Sequence, residues 1–370
     1  MTRPDDNHGL ADEPGLRHAL AHSTTDLAVS PAPYAAIVRD GRGLRRRRTT
    51  IRTAIVVTAA VVPALTVALL PGRQTTPLPG PAAPATAAVV SAAPSPAAAP
   101  AVFSAAADAA VPRDVKQTQL KGRLSGVDGE VLVWLPPQYD DPAYQGRAFP
   151  VLEVLSGYPG SSSAWFSLLN ASEQLKPMIA NGSALPFILV APRTFGLGGA
   201  ADGGTPSSGC ADLPGHPKAE SWLTGDVPQL VLDTFRAERD PRQWALAGYS
   251  AGGHCATRLA IAHPDRYGAA VSLSGFNDPA AEPSSPEAQD PALRVKDNPL
   301  TMLRAAAQPP RVDIYAASAK NDTLADAQAL AQAAKAPTSV TVSELTGPRL
   351  TPLWRDALPN VFRWLTGRLR

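Results

Sequence analysis

The chain has 370 residues, with 34 Lys and Arg against 32 Asp and Glu and a net charge of +2. That balance gives nucleic acid no basic footprint, so no nucleic-acid partner is expected. Only two cysteines are present, Cys210 and Cys255, with no C-x-x-C pair, which argues against a zinc site.

Residues 1–50 read as a disordered polar arm that ends in Arg42, Arg45, Arg46, Arg47 and Arg48. The run TAIVVTAAVVPALTVALLP, residues 53–71, carries no charge inside it. Its 19 residues at 1.5 Å each just span a bilayer core of roughly 30 Å. Arginines before the run and few after it keep the N-terminus in the cytoplasm and export the rest. We therefore expect a transmembrane signal anchor at 51–71, in a single-pass protein of the cell membrane. Secretion after cleavage of a signal peptide is the alternative, and the long arm before the apolar run speaks against it. Residues 72–110 are Pro, Ala, Thr, Ser and Val with almost no charge and read as a semi-extended tether.

From residue 111 to 370 the pattern is that of one α/β domain. Apolar runs at 130–135, 150–157, 186–192, 243–248, 268–275, 311–318 and 338–345 predict strands. Amphipathic stretches at 219–236, 251–262, 324–335 and 352–369 predict helices. The alternation points to a mostly parallel sheet covered on both faces.

Gly-Tyr-Ser-Ala-Gly-Gly, residues 248–253, has the form G-x-S-x-G between the strand 243–248 and the helix 251–262. Strand, sharp turn with serine, then helix is the pattern of a nucleophile elbow, with Ser250 as nucleophile. Gly248 and Gly252 leave room for the tight turn. The N–H of Ala251 would form half of an oxyanion hole, and the Gly-rich turn LSGYPGSSSAW after the strand 150–157 offers the N–H of Tyr158 as the other half.

Three blocks, VLEVLSGYPGSSSAW, AESWLTGDVPQLVLDTF and WALAGYSAGGHCATRLAIAHPDRYGAAVSLSG, resemble an α/β-hydrolase of the esterase branch that includes esterase D and the mycolyltransferases. The resemblance covers residues 115–370 and implies ester hydrolysis or acyl transfer through an acyl-serine, without a cofactor. The implied substrate is a small acyl ester or an envelope lipid or glycan. The family places its acid after the next-to-last strand, where Asp322 is the best match and Asp326 the next. It places its histidine after the last strand, a few residues before a Trp. Here that stretch reads LTGPRLTPLW, and Arg349 stands at the histidine's position.

The six histidines are 8, 18, 22, 216, 254 and 263, so none follows the last strand. A guanidinium stays protonated at ordinary pH and cannot take a proton from Ser250. His216, in the loop before the 219–236 helix, is the candidate substitute base. His254, one turn after Ser250, is expected to pack in the helix, and His263 to be structural. Several membrane-anchored, exported members of the family carry a Cys at each position equivalent to Cys210 and Cys255. In an oxidising exterior the pair suggests one disulfide pinning the loop before that helix, and two separate buried thiols are the alternative. Trp222 and Trp244 are expected in the core, Trp165 in the acyl pocket, and 276–300 as a loop-like lid. Two functions follow: a serine esterase or acyltransferase of low rate, or an inactive hydrolase-fold protein that binds an envelope ligand or partner.

Overall fold

The computed structural model describes residues 101–197 and 209–369. All of them belong to one compact unit, Ala93–Arg370. The expected arm, signal anchor and all but the end of the tether lie outside the described residues. Among the described residues no helix is long and apolar enough to cross a membrane.

Nine strands form one sheet in the order β1-β2-β3-β5-β4-β6-β7-β8-β9. They are β1 Ser104–Ala105, β2 Val115–Lys121, β3 Asp128–Trp134, β4 Val151–Leu155, β5 Ile188–Pro192, β6 Trp244–Tyr249, β7 Ala269–Leu273, β8 Asp313–Ala319 and β9 Ser339–Leu345. The pairs β1–β2, β2–β3 and β3–β5 are antiparallel, and every pair from β5 through β4 to β9 is parallel. Each predicted strand is present. The strand that the sequence hides is β2, VKQTQLK, a mostly polar run in which Val115 and Thr118 are buried and the rest are exposed or half-buried. The sheet also begins at Ser104, inside the stretch assigned to the tether.

The five residues of β4, the six of β6 and the five of β7 are all buried, as strands covered on both faces must be. Successive side chains point to opposite faces. Val151, Leu155 and Leu246 pack with helices α2 (Val227–Thr234), α3 (Ala251–Ala262) and α4 (Leu324–Ala333). Leu152, Val154, Ala245 and Ala247 pack on the other face with α1 (Ala171–Ala180) and α5 (Thr351–Arg368). Trp222 and Trp244 are buried in the first of these layers, as expected.

The stretch 276–300 is not the expected loop-like lid. It folds into short helices at Pro286–Gln289, Pro291–Lys296 and Pro299–Ala305. Ser285, Asp290 and Asn298 cap them, each accepting a backbone N–H from the first turn, and each is followed by Pro. Asp297 from this segment reaches the α3 residue Arg258, which is 4% exposed and also paired with Glu220 at 2.6 Å.

Candidate active site

The turn between β6 and α3 puts Ser250 at φ 54° and ψ −124°, a positive φ that a non-glycine residue rarely holds. The strain is held from both sides. The N–H of Ser250 donates to Leu273 O at 2.8 Å, and its carbonyl accepts from Gly253 and His254 at 2.9 and 3.2 Å. The glycines are required by space. A Cβ on Gly248 would lie 2.0 Å from Gly252 O, and one on Gly252 would lie 2.4 Å from the carbonyl oxygens of Leu155 and Ser156. The serine is thereby presented at the C-terminal end of the central strand.

Ala251 opens α3, so its N–H is one of the first-turn groups that no helix carbonyl satisfies. The turn after β4 lies against the same serine. A Cβ on Gly157 would meet Ser250 Cβ at 3.2 Å and the Tyr249 ring at 2.7 Å. Tyr158 follows directly, its ring half-buried and edge-on to Phe195 with centroids 5.8 Å apart. Both expected oxyanion donors therefore sit on segments that touch the nucleophile.

Asp322 lies just past β8, its side chain 9% exposed. Ser318 Oγ donates to its Oδ2 at 3.2 Å, and the N–H of Thr323 fixes that hydroxyl at 3.0 Å. Arg349 lies between β9 and α5 and joins the two functional groups. Its Nη1 donates to Asp322 Oδ1 at 2.8 Å, and its Nη2 donates to Ser250 Oγ at 2.7 Å. Serine, arginine and aspartate thus form a continuous hydrogen-bonded chain in which a permanent donor stands where an acceptor would be needed to activate the serine.

The other candidates lie apart from this chain. Asp326 accepts the N–H of Asn277 at 3.1 Å and so anchors the segment after β7. His216 is exposed on a turn, its N–H donating to Leu213 O at 3.1 Å, and makes no contact with Ser250 among the described residues. His254 stacks on Phe276 with centroids 4.8 Å apart, and its Nδ1 bonds Phe276 O at 3.0 Å. Burial pulls the His254 imidazole down to about 4, against the Phe276 carbonyl, so it stays neutral as a packing residue. His263 bonds Glu220 at 2.6 Å and closes a network with Arg258, as a structural residue would.

Trp165 does not line an open pocket. It is 1% exposed and lies in the core behind Tyr249, with centroids 5.9 Å apart. Cys210 and Cys255 form a disulfide that ties the loop before α2 to the helix behind the nucleophile. One wall of the site escaped sequence reasoning. The Tyr249 ring stacks on Trp354, whose Nε1 donates to Ser274 Oγ at 3.0 Å.

The family model described as "Putative esterase" matches residues 125–347, more than half of the chain. The chain belongs to this esterase family. An uncharacterized protein of Corynebacterium glutamicum is 32% identical over 157 residues, 42% of this chain and 34% of that protein. The S-formylglutathione hydrolase of Paracoccus denitrificans is 28% identical over 174 residues, 44% of this chain and 56% of that enzyme. The matches thus span about a third and about half of these curated relatives.

Among solved structures, a ferulic acid esterase is similar with a TM-score of 0.58 and 21% identity, over 69% of this chain and 98% of that one. The S-formylglutathione hydrolase of Agrobacterium tumefaciens has a TM-score of 0.56 and 16% identity, over 70% and 96%. MPT51 of Mycobacterium tuberculosis has a TM-score of 0.50 and 17% identity, over 68% and 97%. These are likenesses of fold, an α/β sheet covered by helices.

Proposed function

We propose that this chain is a slow serine esterase or acyltransferase that works through an acyl-Ser250 intermediate. The observation that carries the reading is Ser250 itself, held at a strained positive φ at the head of a helix within an esterase-family domain. Ser250 attacks the ester carbonyl, and the N–H groups of Ala251 and Tyr158 receive the oxyanion. Asp322 and Arg349 stand where an acid and a histidine would serve. The domain is exported and tethered by the N-terminal apolar run, a reading supported by the arginines that precede residues 53–71.

Arg349 sets the rate. In a serine protease, removal of the triad histidine alone lowers kcat about a millionfold. Oxyanion donors and binding leave about 10³–10⁴ over water. The test is the initial rate of p-nitrophenyl butyrate hydrolysis by the purified full-length chain beside Ser250→Ala. A rate clearly above the variant is expected. A rate equal to the variant would remove the esterase reading for simple esters. It would favour the second reading, a domain that binds an envelope ligand without turnover, which the 2.7 Å contact from Arg349 to Ser250 supports.

A further inference from the structure

Resting on the esterase reading, we propose that the substrate of this site carries its own carboxylate, which Arg349 holds beside Ser250 and which acts as the base that the protein lacks. Three observations converge on it. The first is the position of the guanidinium, with Nη2 at 2.7 Å from Ser250 Oγ. Anything gripped by this fork lies within reach of the serine proton. The second is unused donor capacity. A guanidinium has five N–H groups, and two are taken by Ser250 and Asp322. Among the described residues three remain without a partner, on a side chain that is 36% exposed, so a ligand can reach them.

The third observation is the surrounding field. Ser250 caps the N-terminus of the 12-residue α3, and Arg349 lies just before the 18-residue α5. Neither N-cap residue, Ser250 or Leu350, accepts a side-chain capping bond. Both helices therefore point the positive ends of their dipoles toward the fork, and Ala251 opens α3 with an N–H that no helix carbonyl satisfies. Asp322 cancels the formal charge of Arg349 at 2.8 Å, which sets the kind of anion. A dianionic phosphate would be repelled by the Asp322 carboxylate, whereas a single carboxylate matches the planar fork at half the charge.

The step balances without another reactant. The bound carboxylate takes the proton from Ser250 Oγ as Oγ bonds the ester carbonyl carbon, and the carbonyl electron pair moves to oxygen. The tetrahedral intermediate collapses, the C–O bond of the alcohol breaks, and the leaving oxygen takes the proton back from the carboxylic acid. When the carboxylate lies on the acyl side, water then enters where the alcohol left: as its oxygen bonds the acyl carbon the same carboxylate accepts its proton, the C–Oγ bond breaks, Ser250 Oγ takes that proton back, and the diacid leaves. General-base assistance of this kind contributes about 10²–10⁴-fold.

The experiment compares mono-p-nitrophenyl succinate, glutarate and adipate with p-nitrophenyl butyrate, valerate and hexanoate. Wild type, Ser250→Ala and Arg349→Leu are assayed as full-length chains, and the spontaneous rate is subtracted. We expect the best hemiester to exceed its neutral partner by about 100-fold in kcat/KM. We expect the ratio to fall to about one in Arg349→Leu, with both activities lost in Ser250→Ala. Free glutarate should inhibit butyrate hydrolysis by wild type and not by Arg349→Leu. Faster turnover of the neutral esters, or no inhibition by glutarate, would overturn this proposal and leave the esterase reading standing. Turnover of neither class above Ser250→Ala would remove both.

Discussion

The ring of Tyr249 stacks on the indole of Trp354, with centroids 4.7 Å apart and 27° between the planes. Tyr249 is the residue before the nucleophile, and Trp354 lies in the first turn of the helix after Arg349. The stack therefore ties the elbow to the segment that carries the cation. Trp354→Ala removes the stack and the bond to Ser274. For this half-buried ring the loss is about 2 kcal/mol, measured by urea unfolding. The same variant should loosen Arg349 from Ser250, read as a changed hemiester-to-neutral ratio.

Arg349→His should turn the chain into a faster esterase for neutral esters. Asp322 is already held by Ser318 and is oriented toward residue 349, so it can fix an imidazole there. An increase of at least about 100-fold in kcat/KM for p-nitrophenyl butyrate is expected. An imidazole accepts a proton only when neutral, so the rate should rise with pH through about 6.5 and level off above it. Wild type, with a guanidinium in place, should show no such rise. An Arg349→His rate equal to wild type at every pH would show that the base is not what the site lacks.

The disulfide spans 45 residues of sequence, and both cysteines are buried. Closing a loop of that length removes about 4 kcal/mol of chain entropy from the unfolded state. Arg258 holds the Cys210 carbonyl at 3.5 Å and Glu287 the Ala211 N–H at 3.3 Å, so the loop keeps other anchors when the bridge is absent. The Cys210→Ser/Cys255→Ser double variant should fold with a lower urea midpoint, losing about 3–4 kcal/mol. A midpoint unchanged from wild type would show that these anchors alone carry the loop.

What was legible in the sequence follows from how local each signal is. The helix 251–262 and the elbow are written in adjacent residues, and the structure returns those bounds. The capping helices of 276–300 were also written there, as Ser-Pro, Asp-Pro and Asn-Pro at 285, 290 and 298, but the Pro and acidic content reads first as loop. Helix α1 was hidden by Pro177 inside it. Arg349 was found only by its place relative to a family pattern. Its contacts are 27 and 99 residues away in sequence, and no periodicity reports pairs so distant. Trp165 shows the opposite failure, since an aromatic after a glycine-rich turn carries no mark of which layer it enters.

Glu153 predicts how stability depends on pH. It lies on β4 and is fully buried, with Tyr267 Oη donating to its Oε2 at 3.0 Å. Oε1 meets no hydrogen-bond donor among the described residues. Burial pushes the Glu153 carboxyl up to about 8, against the pull of the Tyr267 bond. In the unfolded chain a glutamate titrates near about 4.3. Between those values the folded state holds a proton that the unfolded chain has released, so stability falls as pH rises, by up to about 1.4 kcal/mol per unit. His254 acts in the other direction. Its folded value of about 4 lies below the unfolded value, so its contribution is complete above about 6.5 and is lost as pH falls. The two slopes oppose each other below about 6.5, and Glu153 acts alone from there to about 8. Urea unfolding at both ends of that window should show wild type losing stability toward the higher pH. Glu153→Gln, which has no proton to lose, should be nearly flat. Equal slopes for the two proteins would mean that Glu153 is already ionised in the folded state, as it is in the unfolded chain, and that another group sets the dependence.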